Sequence, residues 1–83
     1  MSARWIEFMS LGTSPSGKTE RWGVLAKQGG AVLGEVRWFG RWRRYAFFPF
    51  GDTVFERDCL RDIATFLDEQ TVQQRARPAG GSR

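Results

Sequence analysis

Val36 to Phe50 read V-R-W-F-G-R-W-R-R-Y-A-F-F-P-F, and no other run limits the fold of this 83-residue chain as tightly. It carries four of the 13 basic residues (Arg37, Arg41, Arg43, Arg44) and seven aromatics (Trp38, Phe39, Trp42, Tyr45, Phe47, Phe48, Phe50). Rings at this density need a core, while guanidinium groups need water or partners. A pair of strands supplies both, because successive side chains point to opposite faces. Gly40-Arg41-Trp42 reads as the turn between them. Pro49 lacks a ladder donor and marks a strand end or an edge position.

The rest of the chain builds around that pair. Trp5 to Met9 is a candidate first strand. Glu20 to Ala26 is another, and Gln28-Gly29-Gly30 provides the glycine-rich hairpin turn that leads into a strand from Ala31 to Phe39. Beyond Gly51-Asp52-Thr53 the period changes. Cys59, Leu60, Ile63, Phe66 and Leu67 recur at helical spacing, which predicts a helix over residues 58–71. Asp58 is a candidate N-cap, and Thr53 with Glu56 fits a capping box that would start the helix earlier. The fold predicted is α+β: an antiparallel meander of three or four strands with one C-terminal helix across one face. Residues 1–72 form the single domain, and the polar 73–83 segment, with Arg75, Arg77 and Arg83, is expected to be a disordered basic tail.

Composition narrows the chemistry. The chain has no histidine and one cysteine, which removes the commonest general base and leaves no plausible zinc site. No carboxylate pair has an apolar setting that would raise a pKa. The expectation is a binding protein, not an enzyme, with no cofactor and no metal. A lone cysteine precludes an internal disulfide and suits a reducing cytoplasm. No apolar run reaches the ~20 residues of a membrane helix, and the N-terminus does not read as a signal peptide.

One motif points elsewhere. Gly12-Thr13-Ser14-Pro15-Ser16-Gly17-Lys18-Thr19 matches the phosphate-loop pattern G-x-x-x-x-G-K-[ST] and follows a candidate strand. That pattern aims backbone amides and its lysine at phosphates, and it needs a helix starting at the lysine. The segment after Lys18 reads as a strand, so phosphate or nucleotide binding at Gly12–Thr19 is a remote alternative and an ordinary surface loop the main reading.

Charge placement supports a polarised molecule. Residues 41–51 hold three arginines and no acid, whereas residues 52–72 hold six acids and two arginines. Alternation places Trp22, Val24 and Ala26, then Val32, Val36 and Trp38, then Ala46, Phe48 and Phe50 on a buried face, with Arg44 at its margin. The opposite face then holds Arg37, Phe39, Arg43, Tyr45 and Phe47, with Arg41 and Trp42 at the turn and Arg21 and Lys27 as further basic groups. This basic-aromatic surface is the candidate site. The lead reading is a protein interface, either with another protein or as a homodimer. The alternative is DNA or RNA binding through the same residues. The plain reading is a solvated face on which arginine stems cover rings.

Over residues 19–70 the chain resembles a group of short single-domain proteins of phages and bacteria. The similarity rests on Trp38, Trp42-Arg43 and Tyr45, Phe48-Pro49 and Cys59-Leu60. It implies a small, phage-derived cytoplasmic protein and assigns no site residue.

Overall fold

An antiparallel sheet is formed by β1 (Ile6–Thr13), β2 (Glu20–Ala26), β3 (Val32–Phe39) and β4 (Arg44–Pro49), in the spatial order β1-β2-β3-β4. The helix α1 (Arg57–Ala76) lies across one face. This computed structural model describes residues 5–76. The α+β architecture expected from the sequence is present, with the first strand a full member of the sheet.

Two bulges shape the strands. Leu11 is extra between Ser10 and Gly12 of β1, and Leu33 is extra opposite the Val24–Leu25 step of β2. Gly29 and Gly30 adopt φ of 87° and 70° in the β2–β3 turn, where Ala26 N–H donates to the Ala31 carbonyl at 2.8 Å.

The core contains Ile6, Val24, Val36, Tyr45 and Ile63, with Phe8, Trp22, Trp38, Phe47, Phe55, Phe66 and Leu67 packed around them. Aromatic contacts knit sheet to helix. Phe66 stacks on Phe8 at 3.9 Å and meets Trp22 edge-on at 5.0 Å, and Tyr45 lies edge-on between Trp22 and Trp38 at 5.2 and 5.1 Å.

The parity expected for β4 is reversed. Val36 pairs with Phe47 and Trp38 with Tyr45, so Tyr45 and Phe47 face the helix, whereas Glu35 pairs with Phe48 and Arg37 with Ala46 on the open face. The cause is one residue of turn. The loop spans Gly40–Arg43, because Arg43 adopts a left-handed φ of 56° and donates its N–H to the Phe39 carbonyl at 2.9 Å. A single-residue shift in register exchanges every side chain between faces. Ala46 and Phe48 are therefore on the open face with Arg44, and Phe50 is exposed beyond the strand end.

The helix begins after Glu56, whose carbonyl accepts from Leu60 N–H and whose carboxylate accepts from Asp58 N–H. Glu56 is thus the N-cap, two residues ahead of the expected Asp58. Thr53 bonds the Phe50 carbonyl at 2.7 Å and closes the preceding turn instead. At the other end the helix continues through Ala76, past the expected limit, since Gln74 donates to the Lys18 carbonyl and Arg75 makes two bonds to the Arg43 carbonyl. The remainder of the expected tail, 77–83, lies outside the described residues.

Candidate nucleic-acid interface

The β1–β2 loop, the β3–β4 turn and the helix C-terminus meet at one end of the molecule. Gln74 and Arg75 tie them together through the Lys18 and Arg43 carbonyls, at 3.1 Å for Gln74 and 3.1 and 2.6 Å for Arg75. This end carries Lys18, Arg41, Arg43, Arg44 and Arg75, all exposed. The opposite end of the helix carries Glu56, Asp58 and Asp62. A 20-residue helix is about 30 Å long, so the charge separation follows the long axis of a molecule measuring 40 × 23 × 21 Å. It also opposes the helix dipole, with acids near the N-terminus and Arg75 in the last turn.

On the open sheet face, Glu35 is the centre of an ion-pair cluster. Its carboxylate lies 2.6 Å from Arg21 Nε and 3.6 Å from Arg37 Nε. The hydrogen bond from Arg21 holds the Glu35 carboxyl below the usual range, against a smaller opposing effect of burial. Arg37 sits with its guanidinium carbon 3.9 Å from the Phe48 ring centre. Phe39 contacts both Trp42 at 4.6 Å and Phe48 at 6.3 Å. The result is a platform of three rings interleaved with arginines, with Trp42 61% exposed at its outer end. Beside it, Ser14, Pro15, Thr19, Arg21, Glu35, Arg37 and Trp38 line a cleft of about 340 Å³.

The structure gathers only part of the expected set. Arg37, Phe39, Arg41, Trp42 and Arg43 are together, and Arg21 joins them through Glu35. Tyr45 and Phe47 are not on this surface. Tyr45 is 3% exposed, its hydroxyl accepts from Glu20 N–H at 3.1 Å and donates to Gln74 Oε1 at 3.3 Å, and Phe47 packs edge-on against Phe55 at 5.2 Å. Lys27 lies in the β2–β3 turn, at the far end of β3. Arg44 and Phe48 take the vacated places. Their sequence signal was the inward Arg44 that the shorter turn required, a charge placed against a core.

The Gly12–Thr19 run closes the β1–β2 hairpin and is followed by β2. Its groups bond within the loop: Ser14 N–H to the Thr19 carbonyl and Gly17 N–H to the Ser14 carbonyl, both at 2.8 Å, and Thr19 Oγ1 to Ser14 Oγ at 3.0 Å.

Cys59 packs against the core, and burial, followed by repulsion from Glu56, pushes its thiol up. No helix among the described residues is long and apolar enough to cross a membrane.

No family model matches the chain, and no solved structure matches it. It is similar to an uncharacterized 9.3 kDa protein of Acholeplasma phage L2, 29% identical over 68 residues that cover 82% of this chain and 86% of the phage protein. That similarity agrees with the phage side of the resemblance described above.

Proposed function

We propose that this is a small non-catalytic module that binds single-stranded nucleic acid across the open sheet face and the β3–β4 turn. The observation that carries the reading is the interleaving of ring and guanidinium: Arg37 over Phe48, Phe39 against Trp42, and Arg41, Arg43 and Arg44 exposed around them. Arginines at this spacing meet phosphates and release counterions. Exposed rings stack on bases with little regard for sequence. Of the acids of α1, Asp58 and Asp62 lie toward the helix N-terminus, away from the basic β3–β4 turn, whereas Asp68 lines a cleft with Arg44 and Arg75 beside β4.

A protein interface on the same surface is weaker than the sequence suggested, because Tyr45 and Phe47 belong to the core. Trp42 and Phe50 remain exposed as anchors for such a partner. A phage-derived protein working in a reducing cytoplasm fits the single half-buried thiol of Cys59.

The test is fluorescence anisotropy with labelled single-stranded DNA and RNA across a salt series. Trp42→Ala is expected to weaken binding by ~1–3 kcal/mol. Arg37→Ala and Arg41→Ala should each lower the salt slope by about one. Absence of binding at low salt refutes the proposal and returns the surface to a protein partner.

A further inference from the structure

The two edges of the sheet are treated differently. Phe50 N–H donates to the Leu33 carbonyl at 3.0 Å. Bonding positions alternate in an antiparallel pair, so the main-chain groups of Tyr45, Phe47 and Pro49 point away from β3 to the open edge. That edge is guarded. Pro49 has no N–H, Tyr45 N–H donates to Thr71 Oγ1 at 3.0 Å, and Arg75 covers the adjoining Arg43 carbonyl. Natural sheets blunt exposed edges with such devices.

The β1 edge has none of them. Lys27 N–H donates to the Trp5 carbonyl at 3.0 Å, so the same alternation directs the N–H and C=O of Ile6, Phe8 and Ser10 outward. No described residue bonds these groups. The stretch Ile6–Ser10 holds no proline and no lysine, and its one charge is Glu7. On the open face beside it lie Met9 and Leu11, 50% and 43% exposed, and Trp5 at its start is 51% exposed.

We propose that β1 pairs antiparallel with β1 of a second copy, joining two sheets into one across a two-fold axis at Phe8. A two-fold axis makes the same edge serve both partners, and antiparallel is the only direction it allows. The register follows from bonding and charge. Hydrogen-bonded positions must face one another, which limits the axis to Glu7, Phe8 or Met9. An axis at Glu7 sets two carboxylates directly opposite, which is unfavourable. The regular part of β1 runs from Ile6 to Ser10, where the Leu11 bulge ends it, and it is symmetric about Phe8. With the axis there, Ile6 pairs with the second Ser10 and Phe8 with the second Phe8. Every outward main-chain group of the regular segment then has a partner. Glu7 faces Met9, and Trp5 comes alongside Leu11, so exposed apolar groups are covered. On the other face the stacked Phe8 and Phe66 of each copy meet across the junction and continue the aromatic layer.

The pairing is independent of nucleic-acid binding, because β1 is the strand farthest from β4 in the sheet. Sedimentation velocity of the protein alone, over a dilution series, tests it. The wild type is expected to sediment at twice the 9.5 kDa chain mass and to dissociate on dilution. Ser10→Pro removes an outward donor without touching the β1–β2 ladder, and it should yield a monomer with unchanged circular dichroism. Should that variant fail to fold, Met9→Glu, at a half-exposed position, places like charges opposite one another with the axis at Phe8 or at Met9. It should raise the dissociation constant roughly tenfold at low salt, with partial recovery at high salt. A wild type that is monomeric at every concentration overturns the proposal and leaves the edge to a strand from another protein. So does a dimer that survives both substitutions unchanged.

Discussion

The Phe47 ring lies directly over Gly34: a β-carbon at residue 34 would stand 2.6 Å from Phe47 Cε1 and 2.7 Å from the Phe48 carbonyl oxygen. Gly34 is the next inward residue after Val36 on β3, so its missing side chain is the space that lets Phe47 reach Phe55 beneath the helix. The same contact anchors β4 with Tyr45 and Phe47 inward, and thereby leaves Arg44 and Phe48 on the open face.

Gly34→Ala should therefore be strongly destabilising for a one-carbon change. The ring could shift, but the main-chain carbonyl of Phe48 cannot do so without disturbing the β3–β4 ladder. Overpacking of this kind costs about 1–3 kcal/mol. Urea unfolding is expected to show a lower midpoint with an unchanged slope.

Tyr45 links three elements, since its hydroxyl joins Glu20 N–H of β2 to Gln74 of α1. Tyr45→Phe keeps the ring packing against Trp22 and Trp38 but strips both partners of their bond. A loss of about 1–3 kcal/mol is expected. Amide exchange should rise most in the last turn of the helix, around Gln74 and Arg75. Tyr45→Glu should abolish folding, because it buries a carboxylate at a position that is 3% exposed.

The Glu35 cluster makes stability depend on acid. The folded-state pKa of Glu35 lies below its unfolded value, chiefly through the Arg21 hydrogen bond. The stabilisation is then complete above the ordinary value of about 4.3 and is lost as pH falls through the lower, folded value. Melting temperatures of wild type and Glu35→Gln should differ at neutral pH, with the wild type higher, and converge in acid. A difference that is constant with pH would assign the effect to packing alone.

Much of the fold is legible in the sequence because it rests on period. The 3.6-residue spacing of Cys59, Ile63, Phe66 and Leu67 marks the helix, and the glycines of Gln28-Gly29-Gly30 mark a turn. What is not legible rests on single-residue counts and distant contacts. Both Tyr45-Phe47 and Ala46-Phe48 are apolar alternations, so β4 alone carries no sign of which is inward. The choice belongs to Arg43 adopting a left-handed backbone, which lengthens the turn by one residue. The helical extension to Ala76 is hidden for a different reason. Its polar residues Gln74 and Arg75 are held by the Lys18 and Arg43 carbonyls, and these bonds span 56 and 32 residues of sequence. Among the site residues, Arg37, Phe39, Arg41, Trp42 and Arg43 follow from composition, whereas Arg44 and Phe48 follow only from the register.

The most direct test of the nucleic-acid reading is an amide chemical-shift map recorded while single-stranded oligonucleotide is added at low salt. The reading predicts perturbations at Arg37, Phe39, Gly40 to Arg44, Ala46 and Phe48 and at the Trp42 indole, with Arg61, Asp62 and Thr65 on the helix unmoved. Perturbations confined to the helix, or none at all, would contradict it.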